Sequence, residues 1–389
     1  MARKCIMSID QGTTGTRVVL FDRSGRIIGS AYKEISQHYP HPGWVEHDPF
    51  EIIDSVGICI SEVFRNSGLT PQHIEAIGIT NQRETTILWD RLTGKPFYNA
   101  IVWQCRRTAA YCEEIKRRGY TETVRKKTGL FIDAYFSASK IRWIIDNVPG
   151  LEVKIKKGQV CMGNIDSWII WNLSNCRYHV TDYSNASRTM LFNIHTLVWD
   201  EELLEIFGIN KKILPEVKPT SGIMAFTEKS GLLKESIPVA GVAGDQQAAL
   251  FGQGCFKPGT AKNTYGTALA LMMNTGSKPL MSDRGLTTDL LWVFKNGSCF
   301  DASYGLEGVI FIGGATIQWL RDGLRIIKSP QECSILAEKV ADTGGLYLVP
   351  AFTGLSAPYW DSFARGLIIG ITRGTTREHI CRADLEAIA

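Results

Sequence analysis

The sequence predicts an α/β protein of two domains, the first of them with a mixed sheet. Three short β-like runs open the chain, and amphipathic helices then alternate with apolar runs of strand length. This alternation is typical of α/β architecture. The length of 389 residues is enough for two domains that each bury a core. A stretch of the second half repeats the opening order of elements, which favours two similarly built domains.

The first elements form an antiparallel meander. The three β-like runs cover Cys5 to Ile9, Arg17 to Phe21 and Arg26 to Tyr32. The last two are joined by "DRSG", and Gly25 in this turn is typical of a β-hairpin. A sheet that begins in this way has antiparallel neighbours at one edge.

Helices and buried strands follow the meander. Asp48 is the predicted N-cap of a helix whose first position is Pro49, and its apolar residues recur at helical spacing. The strands "EAIGIT" and "TTILWD" come next and flank the polar loop "NQRE". Further helices are predicted near 107–118, 137–147 and 199–207.

The second half begins near residue 250, which divides the sequence into domains 1–250 and 251–389. From Thr260 the sequence "TAKNTYGTALALMMNTGSKPLMS" repeats strand, Gly-Thr turn, apolar strand, second turn and strand. Near the end, Thr375 and Glu378 predict a capping box that starts a helix. No stop signal follows this helix, so we expect a C-terminal truncation that leaves the second domain incomplete.

Composition excludes several classes of protein. Hydrophobic residues make up 44% and charged residues 21% of the sequence, as in ordinary globular proteins. A net charge of +4 is too small to predict a nucleic-acid partner. The apolar runs are too short to span a membrane. The ten cysteines are scattered without paired spacings, which indicates reduced thiols and a cytoplasmic location.

The stretch "SIDQGTTGTR" is the first candidate site. Threonine hydroxyls, the amides near Gly12 and Gly15, and Arg17 can all donate hydrogen bonds to phosphate oxygens. Asp10, at the end of a strand, can hold Mg²⁺. The alternative is a hairpin turn without a ligand. The residues of this motif alone leave both interpretations open.

A second candidate is "GVAGDQQAALFGQ", which delivers Asp245 from an apolar strand to the start of a helix. A carboxylate there can act as a general base toward a hydroxyl, because phosphoryl transfer needs the nucleophile oriented more than strongly deprotonated. The alternative role of Asp245 is that of a helix N-cap.

A third candidate is the loop "NQRE", in which Arg83 and Glu84 are adjacent. Such a pair can hydrogen-bond neighbouring hydroxyls of a polyol at the end of a strand. Trp103 and Tyr135 offer aromatic faces for a small carbon skeleton. The alternatives are a solvated ion pair and ordinary core aromatics.

These motifs together closely resemble the FGGY family of carbohydrate kinases, and in particular its glycerol-phosphorylating members. The resemblance runs from residue 5 to the last residue. It is carried by "SIDQGTTGTR", "YPHPGWVEHDP", "GITNQRETTILWD", "NAIVWQCRRT", "VTDYSNASRTMLFNIHTLVWD", "AGDQQAALFGQ", "AKNTYGT" and "VPAFTGLSAPYWD". The stretches "YFSASKIRWIIDN" and "GLIIGITRGTTREHICRADLE" resemble the two signatures of the family.

The resemblance implies two actin-like, ribonuclease-H-like domains around a cleft, and transfer of the ATP γ-phosphate to glycerol with Mg²⁺ as a cofactor. It assigns glycerol binding to Arg83, Glu84, Trp103, Tyr135, Asp245 and Gln246, with Asp245 as the base. It assigns nucleotide and phosphate binding to Thr13, Thr14, Arg17, Gly266, Thr267, Gly314 and Gln318. Asp10 is the implied metal-linked acid.

Family members are longer than this protein, so we expect part of the adenosine site to be missing and a full-length member to form a homo-oligomer. Ala268, Leu269 and Ala270 stand where the family usually carries Gly-Cys-Phe. A kinase for another polyol or ketose is therefore one alternative. A binding-only fragment is a second alternative, and an actin-like chaperone or filament ATPase is a third.

Overall fold

The computed structural model describes residues 4–389. Its strands are β1 (Cys5–Gln11), β2 (Gly15–Asp22), β3 (Ile27–Glu34), β4 (Glu46–His47), β5 (Ile74–Asn81), β6 (Ile87–Asp90), β7 (Ala100–Ile101), β8 (Val160–Gly163), β9 (Val180–Asp182), β10 (Phe192–Asn193), β11 (Val198–Trp199), β12 (Glu216–Lys218), β13 (Ser221–Phe226), β14 (Pro238–Gly244), β15 (Ala261–Tyr265), β16 (Leu269–Gly276), β17 (Thr287–Asn296), β18 (Cys299–Ile310), β19 (Tyr347–Val349) and β20 (Leu367–Ile369).

The helices are α1 (Pro49–Ser67), α2 (Ala109–Arg117), α3 (Thr121–Thr128), α4 (Ser137–Asn147), α5 (Leu151–Lys156), α6 (Ile165–Leu173), α7 (Tyr183–Ser187), α8 (Glu201–Phe207), α9 (Asp245–Gly252), α10 (Ala315–Asp322), α11 (Pro330–Ala337) and α12 (Arg377–Ile388). Short 3₁₀ turns cover Pro71–His73 and Lys211–Ile213. Within residues 4–389, no helix combines the length and the apolar character needed to cross a membrane.

Contacts divide the protein into two compact units. Unit 1 comprises Met1–Thr260, Met273–Met281 and Thr287–Leu306, and unit 2 comprises Ala261–Met272, Ser282–Leu286 and Glu307–Ala389. Two segments beyond Thr260 therefore belong to unit 1. The predicted boundary near residue 250 lies within α9.

Unit 1 is built on a six-stranded mixed sheet with the order β13-β14-β5-β1-β2-β3. The strand β1 pairs antiparallel with β2, which pairs antiparallel with β3. On its other side β1 runs parallel to β5, and β5 runs parallel to β14. The structure confirms the predicted meander and the mixed sheet.

The helix α1 covers one face of this sheet. Its N-cap is Asp48, whose side chain accepts a hydrogen bond from the backbone nitrogen of Phe50 at 2.8 Å, and Pro49 occupies the first turn, as predicted. The buried side of α1 includes Ile52, Val56 and Val63, each fully shielded from solvent. Burying an aliphatic side chain of this size contributes about 1.5–3 kcal/mol, so this face fixes the helix on the sheet.

The second half of the sequence differs from prediction in two places. The repeat was predicted to end in a third strand, but 277–286 contains none; Pro279 there lacks a backbone donor, and Gly285 has a φ of +76°. The N-cap of α12 is Thr376, and not Thr375, because Thr376 is the residue with extended backbone that directly precedes the helix; its hydroxyl pairs with His379 Nδ1 at 3.0 Å. The Thr375 hydroxyl instead accepts from the Thr372 backbone nitrogen at 2.9 Å.

Candidate active site

The turn between β1 and β2 is a tight hairpin whose polar side chains lie at its tip. The backbone nitrogen of Gly12 donates to the carbonyl of Gly15 at 2.9 Å. Asp10 and Arg17 are direct partners across the two strands, and both are exposed. A tight hairpin and a phosphate-binding turn are therefore compatible interpretations of this motif. Phosphate binding stays a prediction.

Asp10 carries a perturbed acidity. Protein atoms surround it on most sides although the side chain still reaches solvent. This partial burial and the negative charge of Asp245 raise its pKa to about 6, against the lowering effect of Arg17. Asp10 and Asp245 thus share one region of unit 1, where a cation would relieve their repulsion.

Arg83 and Glu84 are buried, with 3% and 2% of their surfaces exposed, so the alternative of a solvated ion pair is wrong. Within this loop Glu84 adopts a φ of +61°, a left-handed conformation that is unusual for a residue with a side chain. Its carbonyl accepts from the Thr86 hydroxyl at 2.9 Å. Arg83 Nε lies 3.8 Å from Glu84 Oε1.

Asp245 is the first residue of α9, and its side chain is 37% exposed. The N-cap is Gly244, so the alternative role of Asp245 as the N-cap is wrong. Arg83 Nε lies 3.4 Å from Asp245 Oδ1, which also accepts from the backbone nitrogen of Gln246 at 2.8 Å. The side-chain nitrogen of Gln246 donates to Asp245 Oδ2 at 3.1 Å. The carboxylate is thus fixed and still reachable by a ligand.

The two predicted aromatic residues meet at the same site. Trp103 and Tyr135 are 8% and 4% exposed, and their rings pack edge to face with centroids 5.8 Å apart. The indole nitrogen of Trp103 donates to Thr13 Oγ1 at 2.8 Å. Lys140, fully buried, donates to the carbonyls of Tyr135 and Phe136, and burial lowers its pKa to about 7. These contacts set the orientation of Trp103 and of the Tyr135–Phe136 segment, which together form the aromatic wall of the site.

Sequence reasoning missed two charged residues that extend the site inward. Arg188 is fully buried, and its Nε lies 2.5 Å from Glu84 Oε1. Its Nη1 pairs with Asp289, which is also fully buried. A row of alternating charges therefore runs from Asp245 through Arg83, Glu84 and Arg188 to Asp289. The only signal was an isolated arginine within the small polar run "SNASRT".

The four nucleotide residues predicted in the second half lie together in unit 2. The backbone nitrogen of Gly314 donates to the carbonyl of Gly266 at 2.8 Å, and that of Gly313 donates to the carbonyl of Thr267 at 2.8 Å. Gln318 lies one turn into α10, and its backbone nitrogen bonds the carbonyl of Gly314 at 3.2 Å. The Gly266–Thr267 turn is thus fastened to the start of α10.

Unit 1 gathers the other predicted residues: Asp10, Thr13, Thr14, Arg17, Arg83, Glu84, Trp103, Tyr135, Asp245 and Gln246. Among residues 4–389, no three His, Cys, Asp or Glu side chains form a cluster that could hold a metal ion by themselves. A hard cation bound near Asp10 would therefore take its remaining oxygen ligands from water or phosphate, as Mg²⁺ commonly does.

Comparison with known proteins places both halves of the sequence in one family. Residues 5–252 match the FGGY family of carbohydrate kinases, N-terminal domain, and residues 261–389 match its C-terminal domain. "Glycerol kinase 2" of Thermotoga maritima is 58% identical over 386 residues, which are 99% of this chain and 77% of that protein. "Glycerol kinase" of Caldanaerobacter subterraneus subsp. tengcongensis is 57% identical over the same coverage.

Solved structures agree with these relatives. The protein is similar to Plasmodium falciparum glycerol kinase with ADP, with a TM-score of 0.84, 41% identity, and coverage of 99% of this chain and 76% of that one. It is also similar to a gluconate kinase from Lactobacillus acidophilus, with a TM-score of 0.81, 26% identity and the same coverage.

Proposed function

Because the chain belongs to the FGGY family of carbohydrate kinases, we propose that it transfers the γ-phosphate of ATP to a terminal hydroxyl of glycerol, giving sn-glycerol 3-phosphate. The relatives named glycerol kinases support glycerol as the acceptor. The ADP-bound structure of the Plasmodium falciparum enzyme supports ATP as the donor.

One observation carries this proposal: an accessible carboxylate lies beside buried polar and aromatic groups suited to a polyol. Asp245 is 37% exposed, and the buried Arg83 is 3.4 Å from it. Arg83 and Glu84 together provide donors and acceptors for neighbouring hydroxyls, while Trp103 and Tyr135 contact the carbon skeleton. Gln246 adds an amide next to the base.

In this proposal Asp245 accepts the proton of the attacking hydroxyl. Phosphoryl transfer passes through a loose transition state, in which a well-oriented nucleophile matters more than a strong base. The hydrogen bonds from Gln246 and the ion pair with Arg83 hold the carboxylate in place before substrate arrives. Arg83 and Glu84 orient the polyol toward it.

The phosphate groups are assigned to two sets of residues. Thr13, Thr14 and Arg17 provide hydroxyl and guanidinium donors in unit 1. Gly266, Thr267, Gly314 and Gln318 provide backbone and amide donors in unit 2. Donors of this kind stabilise the charge that spreads over the transferring phosphoryl group.

Mg²⁺ is proposed as the cofactor, held by Asp10. The pKa of Asp10 is raised first by burial and then by the negative charge of Asp245, which fits a site that is completed by a cation. When bound, the ion neutralises negative charge on the phosphates. Asp10 must be ionised to bind it, and Arg17 across the hairpin favours the ionised form.

The cellular location and the partners of the enzyme are also proposed. All ten cysteines are free thiols, which supports a cytoplasmic location. The small net charge of +4 supports a small-molecule substrate without a nucleic-acid partner. Association of a full-length member into a homo-oligomer stays a prediction from the family resemblance.

A coupled assay of ADP release tests the function directly. The protein is supplied with ATP and Mg²⁺, and with glycerol, a longer polyol, a ketose or no acceptor. Turnover that depends on glycerol supports the proposal, whereas turnover with another acceptor favours the alternative substrate. Glycerol binding in calorimetry without any turnover indicates a binding-only protein. ATP hydrolysis that needs no acceptor contradicts the proposal.

A further inference from the structure

Arg188 connects the proposed polyol site to the interior of unit 1. It follows α7 directly and is fully buried. Its Nε donates to Glu84 Oε1 at 2.5 Å, and its Nη1 donates to the carboxylate of Asp289. One guanidinium thus bridges two buried carboxylates that are far apart in the sequence.

Glu84 depends on such a partner. Its backbone is in the left-handed region, with a φ of +61°, so the backbone alone does not favour the conformation that turns this side chain inward. Its Oε1 lies between Arg188 at 2.5 Å and Arg83 at 3.8 Å. A buried carboxylate that loses a guanidinium partner becomes protonated or moves toward water.

The far end of the bridge is anchored on β17. Asp289 is buried, and the neighbouring Thr287 hydroxyl lies 3.3 Å from Asp289 Oδ2 and 3.5 Å from Arg188 Nη1. β17 belongs to the second half of the sequence, yet this segment is part of unit 1. A strand remote in sequence therefore determines where the guanidinium sits.

The same guanidinium packs against the aromatic wall. Its central carbon is 5.5 Å from the ring centroid of Tyr135 and 5.1 Å from that of Phe136. These are cation–π distances. Arg188 therefore contacts both the polar and the aromatic side of the proposed polyol site.

We propose that Arg188, fixed by Asp289, is a positioning residue that sets the orientation of Glu84 and Tyr135 for recognition of the polyol hydroxyls. The inference rests on the proposed function and deepens it. Arginine suits this role because its planar fork can donate to two carboxylates at once, whereas the lysine ammonium is a compact point charge on a flexible stem.

The test compares two pairs of variants of the 389-residue protein. Arg188→Lys keeps the charge but loses the fork, and Arg107→Lys makes the same change at a second buried arginine. Arg107 pairs with Glu46 at 2.6 Å, and its other hydrogen bonds go to Cys105 and Tyr98. Asp289→Asn then removes the anchor charge, while Arg188→Met removes both charge and fork.

The readout is the separation of KM for glycerol from kcat. For Arg188→Lys we expect KM for glycerol to rise about 10-fold, with kcat and KM for ATP within about two-fold, because the lost contact acts on substrate binding. Asp289→Asn raises the same KM by about 3- to 10-fold. Arg188→Met shows the largest rise, which the lysine variant partly rescues. Arg107→Lys leaves KM for glycerol unchanged.

A purely structural role predicts a different pattern. Arg188→Lys would then lower the thermal midpoint and the active fraction, as Arg107→Lys does, and leave KM for glycerol unchanged; that result overturns the inference. If the arginine variants do not fold, Asp289→Asn is the deciding variant: a raised KM for glycerol supports the inference, and an unchanged KM overturns it. If the unsubstituted protein itself does not phosphorylate glycerol, the proposed function fails, and this inference fails with it.

Discussion

The indole nitrogen of Trp103 donates a hydrogen bond to the hydroxyl oxygen of Thr13 over 2.8 Å. Trp103 belongs to the proposed polyol site, and Thr13 lies in the turn proposed to bind phosphate. Because the Thr13 oxygen accepts from the indole, its own proton can be donated to another acceptor such as a phosphate oxygen. One hydrogen bond within unit 1 therefore links the proposed polyol site to the turn proposed to bind phosphate.

This link predicts that Thr13→Val weakens both substrates. Valine matches the shape of threonine but removes the hydroxyl that accepts from the indole nitrogen of Trp103, and removing one partner of a largely buried hydrogen bond costs about 1–3 kcal/mol. We expect KM for ATP and KM for glycerol each to rise about 3- to 30-fold in steady-state assays. Thr13→Ser, which keeps the hydroxyl, is the matched control. A valine variant that alters KM for ATP alone argues against the link.

Gly244 is expected to tolerate no side chain. A Cβ there would lie 2.5 Å from Cδ of Arg83 and 2.8 Å from the side-chain oxygen of Gln247, so Arg83 would be displaced from Asp245. We predict that Gly244→Ala lowers kcat/KM for glycerol at least about 10-fold. The control is Gly252→Ala at the other end of α9, where nothing lies within 4 Å of the added atom. Equal activity of the two variants contradicts the proposed role of Arg83.

Activity is predicted to fall as the pH drops through about 6. Asp10 has its pKa raised from 3.8 to about 6 by burial and by Asp245, so it is ionised above this pH and protonated below it. Since Mg²⁺ competes with the proton, more Mg²⁺ should move the acid limb of the rate profile to lower pH. Asp10→Asn should remove the limb along with most of the activity. If the pH of the acid limb does not change with the Mg²⁺ concentration, Asp10 is not the metal-linked acid.

Asp384 is predicted to make the stability of unit 2 pH-dependent. It is inaccessible to solvent, neither of its carboxylate oxygens has a hydrogen-bond partner among residues 4–389, and burial raises its pKa from 3.8 to about 7. The folded state then binds this proton more tightly than the unfolded state, so stability is lost as the pH rises from about 4 through 7.

Asp384→Asn removes this ionisation. We expect the variant to be more thermally stable than the unsubstituted protein at pH 8, and the gain to be smaller at pH 5. Thermal unfolding monitored by circular dichroism measures both. Glu386→Gln changes an exposed carboxylate on the same helix and serves as the control, since surface ion pairs contribute little. A difference that does not grow with pH would show that Asp384 is not the group responsible.

Local signals predicted much of the fold. Asp48 and Pro49 predicted the start of α1 because N-caps and first-turn prolines act within a few residues. α4 was predicted at 137–147 and is observed as Ser137–Asn147. The capping box at α12 was misplaced by one residue, because adjacent threonines offer the same capping chemistry; Thr375 bonds back to Thr372, and Thr376 bonds forward to His379.

The site was less predictable than the fold. Adjacent charges such as Arg83 and Glu84 are usually solvated, and only the folded structure shows that they are buried. Arg188 and Asp289 are 101 positions apart, so no local pattern joins them. Long-range ion pairs depend on strand placement, which sequence periodicity does not specify.

The central claim is that Asp245 acts as the base in phosphoryl transfer to glycerol. Asp245→Asn keeps an oxygen that can accept from the Gln246 backbone, so the local geometry is preserved while the base is lost. In the ADP-release assay we predict that kcat falls about 10²- to 10⁴-fold, while calorimetry shows glycerol affinity within about three-fold of the unsubstituted protein. A variant that retains more than about half of the original kcat contradicts the claim.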